Sequence, residues 1–232
     1  MLFNIKATIE IKKKKKPGGF GFNPLNYDAG NLLALYNGDV GLDEFAWLDQ
    51  SVNGYDLTFF NNPVVVSPAI NGHDAIQFDG INQYAGRALT PAFTQPITCY
   101  VVFNELNYGI NARIVTSNVG AFILTFFQTA GIPNKCIYAG NLSGTLNPAH
   151  NIFNYGIVTF QFNGANSDFR NNNNAATVEN VGLDNSTGLI LAADLVGNYC
   201  NVEIAYLIIR SAADNTATQN LFINYLKNRF AL

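Results

Sequence analysis

The sequence predicts an all-β protein: a two-sheet antiparallel sandwich with one C-terminal helix and an extended N-terminal arm. Short apolar runs recur between clusters of Asn, Gly and Pro, as expected of strands joined by turns. Several runs alternate apolar and polar residues with the period of two that strands require. Strands and helices do not alternate along the chain, which excludes a doubly wound α/β fold. The 232 residues suffice for one such domain and an arm.

The first 16 residues predict a basic arm that anchors the protein to a partner. Apolar residues occupy every second position from Phe3 to Ile11, and five consecutive lysines follow. A single strand is unstable alone, so this one is expected to pair with a sheet edge, in its own domain or in a partner. The predicted anchoring residues are Ile5, Ile9, Ile11, Lys12, Lys13, Lys14, Lys15 and Lys16. Pro17, Gly18 and Gly19 break regular structure, so residues 17–30 are predicted to be a linker.

The clearest strand runs from Ile97 to Phe103. Both of its alternating faces are mostly apolar, which predicts a central strand covered on both sides. The other main strands are predicted at Val64–Val66, Ala75–Phe78, Ile114–Val115, Ala121–Phe127, Cys136–Tyr138, Asn154–Phe162, Gly188–Ala192 and Val202–Ile209. Their spacing, with turn residues between them, favours a sandwich.

A single helix is predicted over residues 215–229. Its apolar residues recur at helical spacing, and Asp214 stands where a capping side chain is expected. Lys227 and Arg229 would lie in the last turn, where cations interact favourably with the helix dipole. The sandwich domain, including this helix, is predicted to span residues 31–232.

The composition excludes several classes of protein. Charged residues are only 12% of the chain, and its formal net charge is -3, so neither a highly charged disordered chain nor a strongly basic domain is expected. Apolar runs fall far short of the roughly 20 residues that a membrane helix needs. The lysines follow the first apolar stretch instead of preceding it, so no secretory signal is predicted, and the chain is expected to be made in the cytoplasm. The three cysteines lack C-x-x-C spacing, which argues against a zinc site or a disulfide framework.

Four segments carry a family resemblance. The segment from Trp47 to Thr58 reads W-L-D-Q-S-V-N-G-Y-D-L-T, and the segment from Asn71 to Tyr84 contains A-I-Q-F-D-G-I-N-Q-Y. Tyr155 to Asn171 has the form of two paired strands, and Val202 to Arg210 is followed by the helix. Together, in this order, they resemble the concanavalin A-like lectin/glucanase superfamily, especially its laminin-G-like members. Two departures are Val52, where Gly is usual, and Glu203, about one residue out of the usual register.

This resemblance implies a jelly-roll sandwich over residues 31–232, a scaffold that hosts lectins, glycosidases, adhesion modules and structural domains. Relatives with the same tryptophan segment are frequent among bacteriophage tail and capsid proteins and bacterial surface proteins. The superfamily's glucanases carry an E-x-D-x-E run, which places paired carboxylates on one face of a strand. This sequence lacks that run, and its two histidines, His73 and His150, fit no catalytic motif. We therefore expect no enzymatic activity.

Binding sites are predicted from residue type and from the resemblance. Trp47 is expected to be buried beside the sandwich rather than exposed for sugar stacking. Aromatic and amide side chains in predicted loops are the candidate carbohydrate-binding residues: Tyr84, Arg87, Tyr108, Asn111 and Asn141. The resemblance also allows a bound Ca²⁺, for which the candidate ligands are Asp79, Asp194 and Glu203. No other cofactor is expected.

These observations leave three hypotheses. The first is a non-catalytic structural, decoration or attachment protein of a bacteriophage capsid or tail, assembled with other virion proteins through its arm and displaying a lectin-like domain. The second is a free carbohydrate-binding lectin, with or without Ca²⁺, and the third is a glycoside hydrolase with an unfamiliar carboxylate pair. Five lysines without interleaved aromatic or arginine residues do not predict specific recognition of nucleic acid.

Overall fold

The computed structural model of the protein describes residues 21–107, 109, 111–117, 125–128 (backbone only), 135–141, 154–194 and 196–232. The predicted arm, residues 1–16, therefore lies outside the described residues. The strands are β1 (Leu32–Asn37), β2 (Ala46–Trp47), β3 (Leu57–Phe60), β4 (Val64–Ile70), β5 (His73–Asp79), β6 (Tyr84–Phe93), β7 (Ile97–Glu105), β8 (Arg113–Thr116), β9 (Thr125–Gln128), β10 (Lys135–Tyr138), β11 (Gly156–Phe162), β12 (Ser167–Asn171), β13 (Thr177–Glu179), β14 (Ser186–Leu191) and β15 (Asn201–Arg210). The helix α1 spans Thr216–Phe230.

The strands form two antiparallel sheets, which confirms the predicted sandwich. Sheet A has the order β13-β12-β11-β7-β15-β5-β4, with β1 pairing along the second half of β15. Sheet B has the order β10-β9-β8-β14-β6-β3-β2. The main core lies between the sheets, and a second apolar cluster lies between sheet A and α1.

Strand β7 occupies the centre of sheet A, between β11 and β15, and every one of its residues is buried. Cys99, Val101 and Phe103 point into the core between the sheets. Tyr100 and Val102 point the other way, into the cluster beneath α1. The prediction of a central strand with two covered faces is confirmed, and the cover on the second face is the helix.

Helix α1 begins one residue later than predicted and has a different cap. Asn215 caps it, accepting a hydrogen bond from the backbone N–H of Thr218 at 3.0 Å. Asp214, the predicted cap, instead faces the sheet, where it accepts hydrogen bonds from Tyr100 Oη at 2.7 Å and Arg210 Nε at 2.8 Å. The Asp214 prediction was wrong because this carboxylate forms the buried ion pair with Arg210. Within the described ranges, no helix is both long and apolar enough to cross a membrane.

The described part of the predicted linker packs against α1. The rings of Phe22 and Tyr27 meet Phe222 edge-on, with centroid distances of 5.1 and 5.5 Å. Asp28 forms an ion pair with Arg210 at 3.0 Å. Residues 22–30 therefore contribute to the cover of sheet A.

The tryptophan segment has a structural role in this fold. Trp47 is fully buried, as predicted, and packs against Tyr36 with a centroid distance of 5.6 Å. The Asp49 carboxylate accepts hydrogen bonds from backbone N–H groups, including that of Leu35 at 2.8 Å. Asn53 donates to the carbonyls of Leu32 and Leu33. These side chains hold the loop against β1, so their polar atoms are occupied by the backbone.

Candidate functional site

Two aromatic rings stand side by side on the outer face of sheet B. Phe60, the last residue of β3, lies directly opposite Tyr84, the first residue of β6. Their rings stack with centroids 4.3 Å apart and planes inclined by 7°. The preceding pair, Phe59 and Ala85, packs on the core, so the alternation of the strands turns Phe60 and Tyr84 outward.

Two asparagine-rich loops border this pair. Asn61 and Asn62 both have positive φ, 60° and 55°, a conformation that asparagine tolerates better than most residues. Asn61 Nδ2 donates to the Asn82 carbonyl at 2.7 Å, and Gln83 Nε2 donates to the Asn62 carbonyl at 2.9 Å. The β3–β4 and β5–β6 loops are thereby fastened to each other beside the aromatic pair.

The β5–β6 turn is organised by Asp79. Its Oδ1 accepts hydrogen bonds from the N–H groups of Ile81, Asn82 and Gln83 at 2.8, 3.1 and 3.1 Å. Partial burial by itself would raise the pKa of Asp79, but these N–H donors outweigh it and hold the pKa below its usual value. At neutral pH the turn therefore carries a negative charge.

We call Phe60, Tyr84, Asn61, Asn62, Ile81 and Asn82 the aromatic–amide platform. Phe60 is 39% exposed and Ile81 is 72% exposed. Asn62 and Asn82 are also exposed, and within the described part of the chain their side-chain amides make no hydrogen bond. The platform thus combines apolar surface with amides that are free to donate and accept, the usual lining of a small-molecule site.

The predicted carbohydrate-binding residues separate into different places. Tyr84 belongs to the platform, and both it and Arg87 lie in β6, so the prediction that they stand in loops was wrong. Arg87 lies further along β6, where it donates to the Gly54 carbonyl at 2.8 Å and covers the ring of Tyr55 at 5.0 Å. Its guanidinium is therefore occupied by backbone and aromatic neighbours.

Asn141 lies near the far end of β6. The backbone N–H of Asn141 donates to the Val181 carbonyl. The carbonyl of the next residue, Gly182, accepts a hydrogen bond from the side chain of Gln95, which follows the end of β6. A ten-residue strand spans roughly 30 Å, so Asn141 and Tyr84 are well apart. Asn111 is an exposed turn residue with φ 61° between β7 and β8, and Tyr108 lies outside the described residues.

The predicted calcium ligands are likewise separate. Asp79 binds its own turn, as described above. Asp194 pairs with buried Arg113 at 3.0 Å and accepts backbone N–H groups, and Glu203 accepts a hydrogen bond from Asn104 at 3.1 Å. Among the residues with described positions, no three His, Cys, Asp or Glu side chains converge into a group that could hold a metal ion.

Sequence reasoning missed Phe60 and the platform's asparagines. The available signal was the run Phe59-Phe60-Asn61-Asn62-Pro63, in which aromatic residues end a strand directly before a turn. That run places an outward aromatic residue at a loop, although nothing local shows that Tyr84 is its neighbour.

No protein-family model and no curated protein matches the sequence. Solved structures do match. Botulinum neurotoxin type C, whose cell entry depends on interaction with two ganglioside molecules, is similar over 85% of this chain and 52% of its own, with 9% identity and a TM-score of 0.62. Trypanosoma rangeli sialidase in complex with sialic acid is similar over 86% of this chain and 33% of its own, with 10% identity and a TM-score of 0.64.

Domain 4 of AbnA, an extracellular arabinanase of Geobacillus stearothermophilus, in complex with arabinotriose, is similar over 83% of this chain and 98% of its own, with 10% identity and a TM-score of 0.63. The chain therefore spans about half of the neurotoxin chain, a third of the sialidase and nearly all of the arabinanase domain. At these identities the likeness concerns the fold. The protein has a jelly-roll β-sandwich fold, which is the fold that the resemblance of its sequence segments implies.

Proposed function

We propose that the protein is a non-catalytic carbohydrate-binding attachment domain that holds a sugar on the aromatic–amide platform. The observation that carries this proposal is the stacked pair of exposed Phe60 and half-buried Tyr84, beside the amides of Asn62 and Asn82, which no described residue engages. An aromatic ring offers a flat apolar surface to the C–H face of a sugar, and an amide matches hydroxyl groups as both donor and acceptor.

The structural neighbours support a binding role. The neurotoxin interacts with gangliosides, and the arabinanase domain is in complex with arabinotriose. Both share this jelly-roll architecture with the present chain at 9–10% identity. Because one scaffold can serve many functions, the argument for sugar binding depends on the platform itself.

The absence of catalysis is part of the proposal. Glycoside hydrolysis requires two carboxyl groups about 5–9 Å apart across the scissile bond. Asp79, in the loop beside the aromatic pair, accepts backbone N–H groups. In the β2–β3 loop, at the other end of β3, Asp49 also accepts backbone N–H groups, and Asp56 accepts the N–H of Asp49. We expect no turnover of oligosaccharides that the protein binds, measured by release of reducing ends.

The binding proposal is tested with a glycan array followed by calorimetric titration of the best ligand. Tyr84→Ala and Phe60→Ala should each weaken binding by roughly tenfold or more, because each removes one of the two stacked rings. Val178→Ala is the matched control, since it removes a 60% exposed apolar side chain from β13, at one edge of sheet A. Circular dichroism should show that all three variants fold. An empty array, or full affinity in both aromatic variants, would refute the platform as the binding site.

We further propose that this domain is carried on a bacteriophage particle, attached through residues 1–16 to other virion proteins. The support is the sequence pattern of the arm, in which an alternating apolar strand precedes five lysines. Deletion of residues 1–16 should abolish incorporation into particles while thermal unfolding of the remaining domain is unchanged. Normal incorporation of the truncated chain would contradict this assignment.

A further inference from the structure

We infer, building on the proposed function, that the platform selects uncharged sugars and rejects anionic ones such as sialic acids, uronic acids and sulfated sugars. The expected ligand is a neutral pyranoside that lays an apolar C–H face on the aromatic pair and offers adjacent hydroxyl groups to Asn62 and Asn82. The inference depends on where the charges of the molecule lie.

Among the residues that the structure describes, no cation is available at the platform to pair with an anionic sugar. Only seven of the thirteen Lys and Arg residues follow residue 20, and the structure describes all seven. Six of them have partners elsewhere: Arg87 with Gly54, Arg113 with Asp194, Lys135 with Glu105, Arg170 with Gln219, Arg210 with Asp214 and Arg229 with Asp39. The seventh, Lys227, lies in the last turn of α1, the helix that covers the outer face of sheet A, whereas the platform lies on sheet B.

Arg87 is the cation nearest to the platform in sequence, and its direction matters most. It follows Tyr84 by three residues on β6, so the alternation of the strand turns the two side chains to opposite faces. It donates to the Gly54 and Asp56 carbonyls and lies 5.0 Å from the centre of the Tyr55 ring. Recruiting it to a ligand on the platform would break these contacts.

Among the described residues, the charge that adjoins the platform is negative. Asp79 sits beneath the turn that carries Ile81 and Asn82, and its Oδ1 takes up three N–H groups of that turn. Those N–H groups are donors that could otherwise have bound a sugar carboxylate. An anionic sugar on the platform would therefore be repelled by the charge of Asp79 and would find no free N–H group to bind its carboxylate. A neutral sugar is not repelled and does not need those N–H groups.

The test compares two oligosaccharides that differ only in a terminal sialic acid, titrated into the full chain at low and at high salt. The neutral ligand should bind roughly tenfold tighter or better at low salt, and the difference should shrink as salt screens Asp79. Asp79→Asn should reduce the ratio of the two affinities, neutral over sialylated, by about threefold or more, because it removes the negative charge. The amide oxygen can still accept hydrogen bonds from the N–H groups of the turn, so the turn should keep its shape. Asp184→Asn removes the same charge near the far end of β6 and should leave the preference unchanged.

The outcomes separate this inference from the proposed function. Equal or tighter binding of the sialylated ligand, reduced by Tyr84→Ala, would overturn the selectivity and keep the sugar-binding platform. Binding of neither ligand would refute the platform and the selectivity together. If Asp79→Asn fails to fold, the salt dependence of the wild-type preference decides: a preference that does not change with salt contradicts the role of Asp79.

Discussion

Replacing Glu105 should reveal how strongly one buried ion pair ties the two sheets together. Glu105 ends β7 in sheet A, and Lys135 begins β10 in sheet B. Lys135 Nζ donates to the Glu105 carboxylate, and both side chains are fully buried. The Sγ atom of Cys200 lies 4.0 Å from the other carboxylate oxygen. The two opposite charges therefore compensate each other at a fully buried position.

Glu105→Gln leaves the Lys135 ammonium in the core without its counter-charge. Removing one partner of a buried pair costs about 3–5 kcal/mol, a large share of the roughly 5–15 kcal/mol by which a domain is stable. The double variant Glu105→Gln/Lys135→Met removes both charges and should recover most of this loss, because neither charge then remains buried alone. The double-mutant cycle should give a coupling free energy of about 2 kcal/mol or more.

The free energy of unfolding of the single variant Lys135→Met should change with pH in a definite direction. Burial raises the pKa of Glu105 even beside Lys135, whose charge lowers it. Without the ammonium the folded-state pKa rises further above the unfolded value. A raised carboxyl pKa means that the folded state binds the proton more tightly than the unfolded state does. The loss of unfolding free energy in Lys135→Met should therefore be small at acid pH and grow as the pH rises toward neutrality.

The assay is urea unfolding followed by the fluorescence of Trp47, the single tryptophan, which is buried in the core. Arg113→Met, in another buried pair, that of Arg113 with Asp194, serves as a comparison for the loss of one cation. A cost below about 1 kcal/mol for Glu105→Gln would refute the reasoning. So would a double variant whose loss equals the sum of the two single losses, since that result would mean that the two charges do not interact.

Three further predictions concern local structure. Asn215→Ala should lower the unfolding free energy by about 1 kcal/mol in urea titration, because it removes the cap of α1. Gly182→Ala should lower the unfolding free energy by more than about 3 kcal/mol, whereas Gly54→Ala should lower it by about 1 kcal/mol. Both glycines have positive φ, but only at Gly182 would an added Cβ meet a backbone oxygen, that of Ala139 at 2.1 Å. Burial raises the pKa of the Cys99 and Cys200 thiols well above their usual range, so a thiol reagent should modify them only after unfolding.

Local patterns predicted many elements of the fold, although β1, β3 and β6 were not among the predicted strands. The segment from Ile97 to Phe103 has two apolar faces, and the structure places it at the centre of sheet A. The helical spacing near the C-terminus located α1 to within one residue at each end. Burial of Trp47 was also predictable from its sequence segment. Periodicity and turn chemistry act over a few residues, so they can be read from the chain directly.

Only the tertiary structure decided which residues meet. Phe60 and Tyr84 are 24 positions apart, and their stacking depends on the register between β3 and β6. By residue type Asp214 could cap a helix, but the buried Arg210 at the end of β15 pairs with it, and Asn215 caps α1 instead. The sequence predicted that Arg87 could bind a ligand, but in the structure its guanidinium donates a hydrogen bond to the Gly54 carbonyl. The sequence by itself determined the fold class, the central strand, the helix and the low charge of the chain. Strand register and burial determined the platform, because contacts between distant residues depend on how the sheets pair and pack.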